Sequence, residues 1–358
     1  MVIQLPRSSN QPPPSKYQRL GFKDQPFPTT PIVDPYSSDP RRNGTIYATG
    51  PVQKEIEKFE QLLIRPDDFS NRSRLAFLWS KGDQFSGRGM GKTALLQYFR
   101  QRINKDWGYT EFNGTFSAAV LYTAFPNQID RRYMEQLAWS ALVDLCKGGL
   151  LKASRAALRA KAVGPAAQSI VSTPSGPDDG GRLLDDEILQ QHGLVPEEID
   201  NQITDALCEA GIAQPVAEAF ARGRFQDLLE LLRKDGSLEP YYMPRDTKGL
   251  ELSRYLLFNE VVRYLREAGF SGGYLFVDDI ENLVDQMARR HRLEFAKEFG
   301  LCTVRPGYAN TQYEFFSCVI TTHQSSANPL AQAWTEAGFA AIRPSGPSRT
   351  DFRGIAAA

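Results

Sequence analysis

Residues 86–93, Ser-Gly-Arg-Gly-Met-Gly-Lys-Thr, give the clearest indication of the fold class of this chain. They follow an apolar run, Leu75–Trp79, of the kind that forms a buried strand, and they precede Thr93–Asn104, where apolar residues recur at helical spacing. A glycine-rich turn that ends in Gly-Lys-Thr between a strand and a helix is typical of a phosphate-binding loop, or P-loop. Ser86 replaces the first glycine of that pattern, which is a small departure because the loop needs flexible residues more than one particular glycine.

Each residue type in the loop has a physical role in holding a nucleoside triphosphate. Glycines let backbone N–H groups converge on the phosphates, and the following helix points the positive end of its dipole at the same place. We expect the Lys92 ammonium to reach the β- and γ-phosphates and the Thr93 hydroxyl to join the magnesium shell. The predicted nucleotide-binding residues are Gly87, Arg88, Gly89, Met90, Gly91, Lys92 and Thr93. No Asn-Lys-x-Asp run that would read guanine is present, which favours ATP over GTP.

A second run, Gly273-Tyr274-Leu275-Phe276-Val277-Asp278-Asp279, is an apolar strand with an acidic end. A P-loop needs an acidic partner for magnesium at the end of a buried strand, and we assign that role to Asp278. Asp279 occupies the place where many ATPases carry a glutamate that polarises the attacking water, and Glu281 is the alternative for that role. Because the aspartate side chain is shorter and reaches less far, this replacement affects the expected rate of hydrolysis more than the expected binding of nucleotide.

A third strand, Val319-Ile320-Thr321-Thr322-His323, ends in polar residues. In an ATPase with an extra strand between the two motif strands, a polar residue here contacts the γ-phosphate or the water. His323 or Thr322 is the candidate, and an ordinary strand end explains the pattern equally well. The predicted catalytic residues are therefore Lys92, Asp279 and His323, and the predicted magnesium ligands are Thr93 and Asp278.

Strands that alternate with helices predict an α/β fold, a P-loop NTPase parallel sheet with helices on both faces. The roughly 145 residues between the second strand, Ala118–Ala124, and the third are too many for one crossover, so they predict a large all-helical insertion. A weaker strand is expected at Phe339–Ile342. The predicted divisions are a proline-rich extended arm at 1–50, the ATPase core at 51–126 and 269–345, the helical insertion at 127–268 with a mobile linker near 164–181, and a tail at 346–358.

Composition argues against several classes of protein. The 42 basic and 42 acidic residues cancel, so net charge indicates neither a nucleic-acid nor a membrane partner, although a local basic patch stays open. The four cysteines are far apart and form no CxxC pair, which argues against a zinc site or a disulfide framework. No signal pattern and no apolar run of roughly 18 residues is present. We expect a cytoplasmic protein with no membrane partner.

With these three motifs in order, the chain resembles the additional-strand P-loop ATPases, the group that includes AAA+ and STAND proteins, over residues 47–343 apart from the insertion. The stretch Val261–Leu283 is similar to ATPases of bacterial phage-exclusion systems, where a long helix ending in a glycine turn also leads into the acidic strand. The resemblance implies an ATPase whose nucleotide state, ATP or ADP with magnesium, drives a conformational change in a DNA-associated or anti-phage defence assembly. Protein partners, further copies of the chain and DNA all stay open as partners.

One departure from the resemblance affects the expected mechanism. AAA+ proteins follow the core with a helical lid, whereas only about 15 residues follow Ile342 here. Either the chain is a fragment, or the insertion or a partner does the work of the lid, which counts against a self-sufficient ring motor. A STAND-type signalling switch with little turnover is the alternative function. A P-loop kinase acting on a small molecule fits less well, because such kinases are usually compact.

Overall fold

Four parallel strands form the centre of the fold, in the order β2-β3-β4-β1, where β1 is Leu75–Ser80, β2 Ala118–Ala124, β3 Gly272–Asp278 and β4 Phe316–His323. A two-residue strand, β5 (Ile355–Ala356), pairs antiparallel with β1. The strand that ends in His323 thus lies between the strand that precedes the predicted P-loop and the strand that ends in Asp278. The predicted α/β class with a parallel sheet is confirmed.

This computed structural model describes residues 33–47, 53–64, 75–80, 91–105, 117–124, 133–171, 179–224, 227–228, 252–281, 287–303, 315–338 and 355–356. The predicted strand at Phe339–Ile342 and the predicted P-loop through Met90 lie outside the described residues. None of the helices in the described ranges is both long enough and apolar enough to cross a membrane. The short strand β5 falls in the segment predicted as a tail.

The helices are α1 (Gln53–Phe59), which continues as a π-helical turn over Glu60–Ile64, α2 (Lys92–Lys105), α3 (Tyr133–Lys147), α4 (Leu150–Val163), α5 (Ala166–Val171), α6 (Asp186–Gln191), α7 (Pro196–Glu209), α8 (Gln214–Ala221), α9 (Leu252–Glu267), α10 (Arg289–Thr303) and α11 (Gln324–Glu336). A 3-10 helix covers Asp179–Leu184. All described elements between β2 and β3 are helical. This agrees with the helical character predicted for that part of the chain.

Side chains on the two faces of the sheet enter two separate cores, because successive residues of a strand point to opposite faces. On β2, Val120 and Tyr122 enter one core, whereas Ala119 and Leu121 enter the other. The first core also contains the apolar faces of α1 and α2, and the second contains residues from α3 to α11. Helices therefore cover both faces of the sheet, as predicted.

The segment predicted as a mobile linker is partly helical instead. Helix α5 covers Ala166–Val171, and its Ala167 and Ile170 are buried against the second core. Small residues and glycines gave this stretch the composition of a linker, but apolar side chains three positions apart are enough to dock a short helix. Helix α4, which directly precedes it, had no counterpart among the predicted elements.

The described residues of the N-terminal arm, 33–47, form turns rather than helix or strand. The arm is attached to the core by aromatic side chains. The Tyr36 hydroxyl donates to Asp144 Oδ1 of α3 at 3.0 Å, and the Tyr47 ring stacks on Tyr98 of α2 with centroids 5.2 Å apart. The arm therefore lies against α2, the helix that follows the predicted P-loop.

Candidate functional site

The candidate site lies at the edge of the sheet where the parallel strands end. Ser80 of β1 is in register with His323 of β4, and Ala124 of β2 is in register with Asp278 of β3. Because all four strands run the same way, the polar residues that end β3 and β4 lie at the same edge as the end of β1. Ligands of open α/β sheets bind at this edge.

Two residues of the predicted loop are placed by the start of α2. Gly91 has a φ of +78°, which favours glycine, and Lys92 is the first residue of the helix. Lys92 and Thr93 are both half-buried in the first turn, where backbone N–H groups have no partner within the helix. Of the predicted binding residues, Gly87, Arg88, Gly89 and Met90 lie outside the described residues.

Asp278 is buried at the end of β3, and two hydroxyl groups hold its carboxylate. The Tyr122 hydroxyl of β2 donates to Oδ2 at 3.0 Å, and the Thr321 hydroxyl of β4 donates to Oδ1. Burial and then the nearby Asp278 charge raise the pKa of Tyr122 well above its usual value, which keeps its hydroxyl protonated as a donor. The orientation of this carboxylate is thus set by the strands on either side.

Asp279 follows in a left-handed backbone conformation with a φ of 55°. Aspartate tolerates this region better than most residues, so the turn after β3 can be sharp. The Asp279 backbone N–H donates to Thr321 Oγ1 at 3.2 Å, and the next residue, Ile280, is fully buried. The turn therefore brings the chain back against the end of β4.

The turn at Asp279 places the Glu281 carboxylate at the strand ends, where Glu281 has only 6 % of its surface exposed. His323 Nε2 donates to Glu281 Oε1 at 2.9 Å, while Oε2 is buried and accepts no hydrogen bond from any described residue. Burial raises the pKa of Glu281 to about 7; its own backbone N–H and Lys92 lower it, and Asp279 and Asp278 raise it. Lys92 and the three carboxyl groups therefore lie within electrostatic range of one another.

The structure thus brings together most of the described residues that the sequence singled out. Lys92, Asp278, Asp279 and His323 lie around one edge, and Glu281 joins them. Thr322 is buried, but its hydroxyl donates at 3.4 Å to the carbonyl oxygen of His323, so it serves its own backbone. Of the two candidates at the end of β4, the histidine is therefore the one that contacts the acidic cluster.

Sequence reasoning missed Tyr122 and the specific contact of Thr321. Tyr122 pairs in register with Phe276 and lies on the same face as Asp278, two residues further along. The sequence does show a tyrosine hydroxyl on the otherwise apolar strand β2. The residue that this hydroxyl contacts, however, depends on the order of the strands. That order was not readable from β2 alone.

Asp278 and Thr93 carry the kinds of oxygen donor that magnesium takes when it binds together with a nucleoside triphosphate. Magnesium prefers oxygen and is usually held by one or two carboxylates together with phosphate oxygens and water. Asp278 supplies a fixed carboxylate and Thr93 a hydroxyl in the first turn of α2. Among the described residues, no group of three or more histidine, cysteine or acidic side chains is arranged to hold a metal ion by itself, so phosphate oxygens and water would have to supply the remaining ligands.

Comparison of the chain with protein-family models, with curated proteins and with solved structures gives no match. Its function has therefore to be argued from its own residues. The relevant ones are a lysine at a helix N-terminus, a carboxylate clamped by two hydroxyls, and a buried glutamate held by a histidine.

Proposed function

We propose that this chain binds ATP with magnesium and hydrolyses it, and that the nucleotide state drives a conformational change. The observation that carries the proposal is a juxtaposition across the sheet. Lys92 begins the helix that follows β1, and Asp278 ends β3, with β4 between these two strands. The electrostatic influence of Lys92 on Glu281, which also senses Asp278, supports a single site formed by both halves.

Each group at this edge has a chemical task in the proposal. The Lys92 ammonium and the N–H groups of the first turn of α2 would bind the β- and γ-phosphates. Thr93 and Asp278 would hold magnesium, which neutralises the charge that develops on the phosphate oxygens. Tyr122 and Thr321 keep the Asp278 carboxylate in one orientation, so that little reorganisation is needed when the metal binds.

The setting that we propose is a DNA-associated or anti-phage defence assembly, with protein partners or further copies of the chain. The support for it is the resemblance of Val261–Leu283 to ATPases of bacterial phage-exclusion systems. In this stretch, helix α9, a glycine turn at Gly269 and strand β3 follow one another. ATP turnover measured with and without DNA, alongside the mass of the particle in solution, tests this setting. Turnover that DNA accelerates supports it, and turnover indifferent to DNA removes that part of the proposal.

A signalling switch of STAND type is the second candidate function. The observation that favours it is Asp279, which stands where many ATPases carry a glutamate and has its backbone tied to Thr321. Such a switch would hold ATP or ADP tightly and turn over little. Size-exclusion runs with ATP and with ADP separate the two candidates, because assembly that depends on a stimulus and occurs without appreciable turnover supports the switch.

The direct test of nucleotide binding is the variant Lys92→Ala, with Lys105→Ala as the matched control on the same helix. Lys105 is exposed at the other end of α2. Titration with ATP and magnesium should show at least about a 100-fold loss of affinity for Lys92→Ala, because a charge-assisted contact to phosphate is removed. The control should bind as the parent does. If Lys92→Ala bound ATP as well as the parent, the site would be wrongly assigned.

A further inference from the structure

We propose that Glu281, rather than Asp279, is the catalytic residue that orients and deprotonates the attacking water, and that His323 is a positioning residue that holds Glu281. This inference rests on the proposed ATP hydrolysis and assigns the base within that site. This assignment differs from the pattern of many ATPases, in which the acid that polarises the water directly follows the magnesium ligand. The difference arises from the turn at Asp279.

The Glu281 carboxylate has one engaged oxygen and one that accepts no hydrogen bond from the described residues. Oε1 accepts from His323 Nε2 at 2.9 Å, and Oε2 is buried. A buried carboxylate oxygen without a partner costs free energy, so such groups occur where a ligand or a water completes them. Lys92 and Asp278 lie close enough to Glu281 to shift its pKa. A ligand or water that donates a hydrogen bond to Oε2 would therefore lie beside the proposed phosphate site.

Asp279 is less suited to contact the water. Its backbone is fixed in the left-handed region, its N–H is bonded to Thr321, and its side chain is one methylene shorter than that of a glutamate. Its role in the structure is the turn, which buries Ile280 and brings Glu281 against the end of β4. Asp279 therefore sets the direction of the backbone, and Glu281 supplies the carboxylate of the proposed catalytic site.

His323 fixes the orientation of the Glu281 carboxylate. It is the last residue of β4, it is buried, and its ring nitrogen donates to the oxygen that does not face the water. A single hydrogen bond of this kind leaves Oε2 as the acceptor for water. The pKa of Glu281, raised by burial to about 7, also lies near the value that suits a general base at neutral pH.

The proposed step is a direct attack of water on the γ-phosphorus of ATP. The water oxygen forms a bond to phosphorus, and the bond from phosphorus to the β–γ bridging oxygen breaks. The electron pair of that bond stays on the bridging oxygen of ADP. The proton of the water passes to Glu281 Oε2 and then to the released phosphate, so that the carboxylate is restored.

The test compares Glu281→Gln and Asp279→Asn for ATP affinity and for single-turnover hydrolysis. Glu281→Gln keeps the shape and the bond from His323 but cannot take a proton. It should bind ATP with magnesium within about 3-fold of the parent and hydrolyse it at least about 100-fold more slowly, the usual contribution of a general base. Asp279→Asn should lose less than about 10-fold. Glu281→Asp, which withdraws the oxygen by one methylene, should also be slow and serves if the glutamine variant folds poorly.

The positioning role of His323 is tested by His323→Gln and His323→Leu. Gln can place an amide N–H near the position of Nε2, whereas Leu cannot donate. We expect His323→Leu to lower the turnover number about 10-fold or more with unchanged ATP affinity, and His323→Gln to restore most of it. Equal loss in both variants, with equal loss of stability, would indicate a structural histidine and overturn this role.

The outcomes separate this inference from the proposed function. A parent that neither binds nor hydrolyses ATP overturns both. A parent that hydrolyses ATP through a site sensitive to Lys92→Ala, with Glu281→Gln as fast as the parent, overturns the assignment of Glu281 alone. Loss of turnover in Asp279→Asn but not in Glu281→Gln would return the role to Asp279.

Discussion

The Tyr122 hydroxyl on β2 donates a 3.0 Å hydrogen bond to Asp278 Oδ2 at the end of β3. Together with the Thr321 hydroxyl on β4, it occupies both oxygens of a buried carboxylate. A carboxylate held in this way can contact a metal through water or exchange one hydroxyl for it without turning. The neighbouring strands therefore prepare Asp278 for its proposed role.

Tyr122→Phe removes one of these donors and should change the magnesium requirement. We expect the unfolding free energy to fall by about 1–3 kcal/mol, because a buried carboxylate oxygen loses its hydrogen bond. The magnesium concentration for half-maximal ATP binding should rise several-fold. Tyr274→Phe is the matched control, since the Tyr274 hydroxyl donates at 2.8 Å to the carbonyl of Ile64, away from the site. A similar magnesium shift in both variants would contradict the role of Tyr122.

Gly273→Ala should destabilise the sheet where β3 passes between its neighbours. A Cβ at this position would lie 2.7 Å from a ring carbon of Phe316 and 2.8 Å from the carbonyl oxygen of Ala119. The backbone and the ring cannot both move away from the added methyl group. We therefore expect the free energy of unfolding, measured in urea, to fall by about 1–3 kcal/mol. Gly180→Ala, where a Cβ would meet only the Ala156 methyl at 3.9 Å, should be neutral or slightly stabilising. Equal stability of the two variants would refute this packing argument.

Arg159→Met should be far more costly than Lys161→Met on the same helix. The Arg159 side chain is fully buried, and it donates to both oxygens of Asp200 at 2.9 Å. Its loss leaves Asp200 Oδ1 without its donor, while Arg155 still donates to Oδ2 at 3.0 Å. Removing one partner from a buried ion pair is strongly destabilising, and we expect a cost of about 3 kcal/mol, at the lower end of the usual range, because Arg155 remains. Lys161 pairs with Glu267 at 3.1 Å but is 68 % exposed, so its removal should cost about 1 kcal/mol or less. Chemical unfolding of the two variants measures the difference.

Glu260→Gln should flatten part of the dependence of stability on pH. Glu260 is buried, and it accepts hydrogen bonds from the Ala213 backbone and from Arg263, both at 3.1 Å. Burial raises its pKa from 4.5 to about 7. The folded protein thus holds this proton more tightly than the unfolded chain, so the contribution to stability is full below pH 4.5 and is lost by about pH 7.

The measurement for Glu260 is the unfolding free energy of parent and variant across that pH window. Relative to Glu260→Gln, the parent should lose up to about 3 kcal/mol between pH 4.5 and 7, and the difference should be constant above that. Glu209→Gln, at an exposed position at the end of α7, should follow the parent. Parallel curves for parent and Glu260→Gln would show that this carboxyl does not titrate differently on folding.

Much of the sheet was predictable because each buried strand is a short apolar run with a polar end. The predicted Ala118–Ala124 coincides with β2, and the predicted Thr93–Asn104 differs from α2 by one residue at each end. Local pattern was insufficient for α4, whose Arg159 is buried because Asp200 and Asp186 of two other helices pair with it. It was also insufficient for α5, whose short sequence resembles a linker until its apolar side chains find the second core.

The order of the chemical groups along the chain could be predicted from the sequence alone: a predicted P-loop ending in Lys92 and Thr93, an acidic strand end, and a polar strand end. Those inferences depend on residue type and spacing, which local backbone geometry makes readable. Which side chains meet across strands could be learned only from the folded structure. It paired Tyr122 and Thr321 with Asp278, because strand order and register set neighbours that are far apart in sequence. It also placed Glu281 against His323, because a left-handed turn at Asp279 returns the chain to the end of β4.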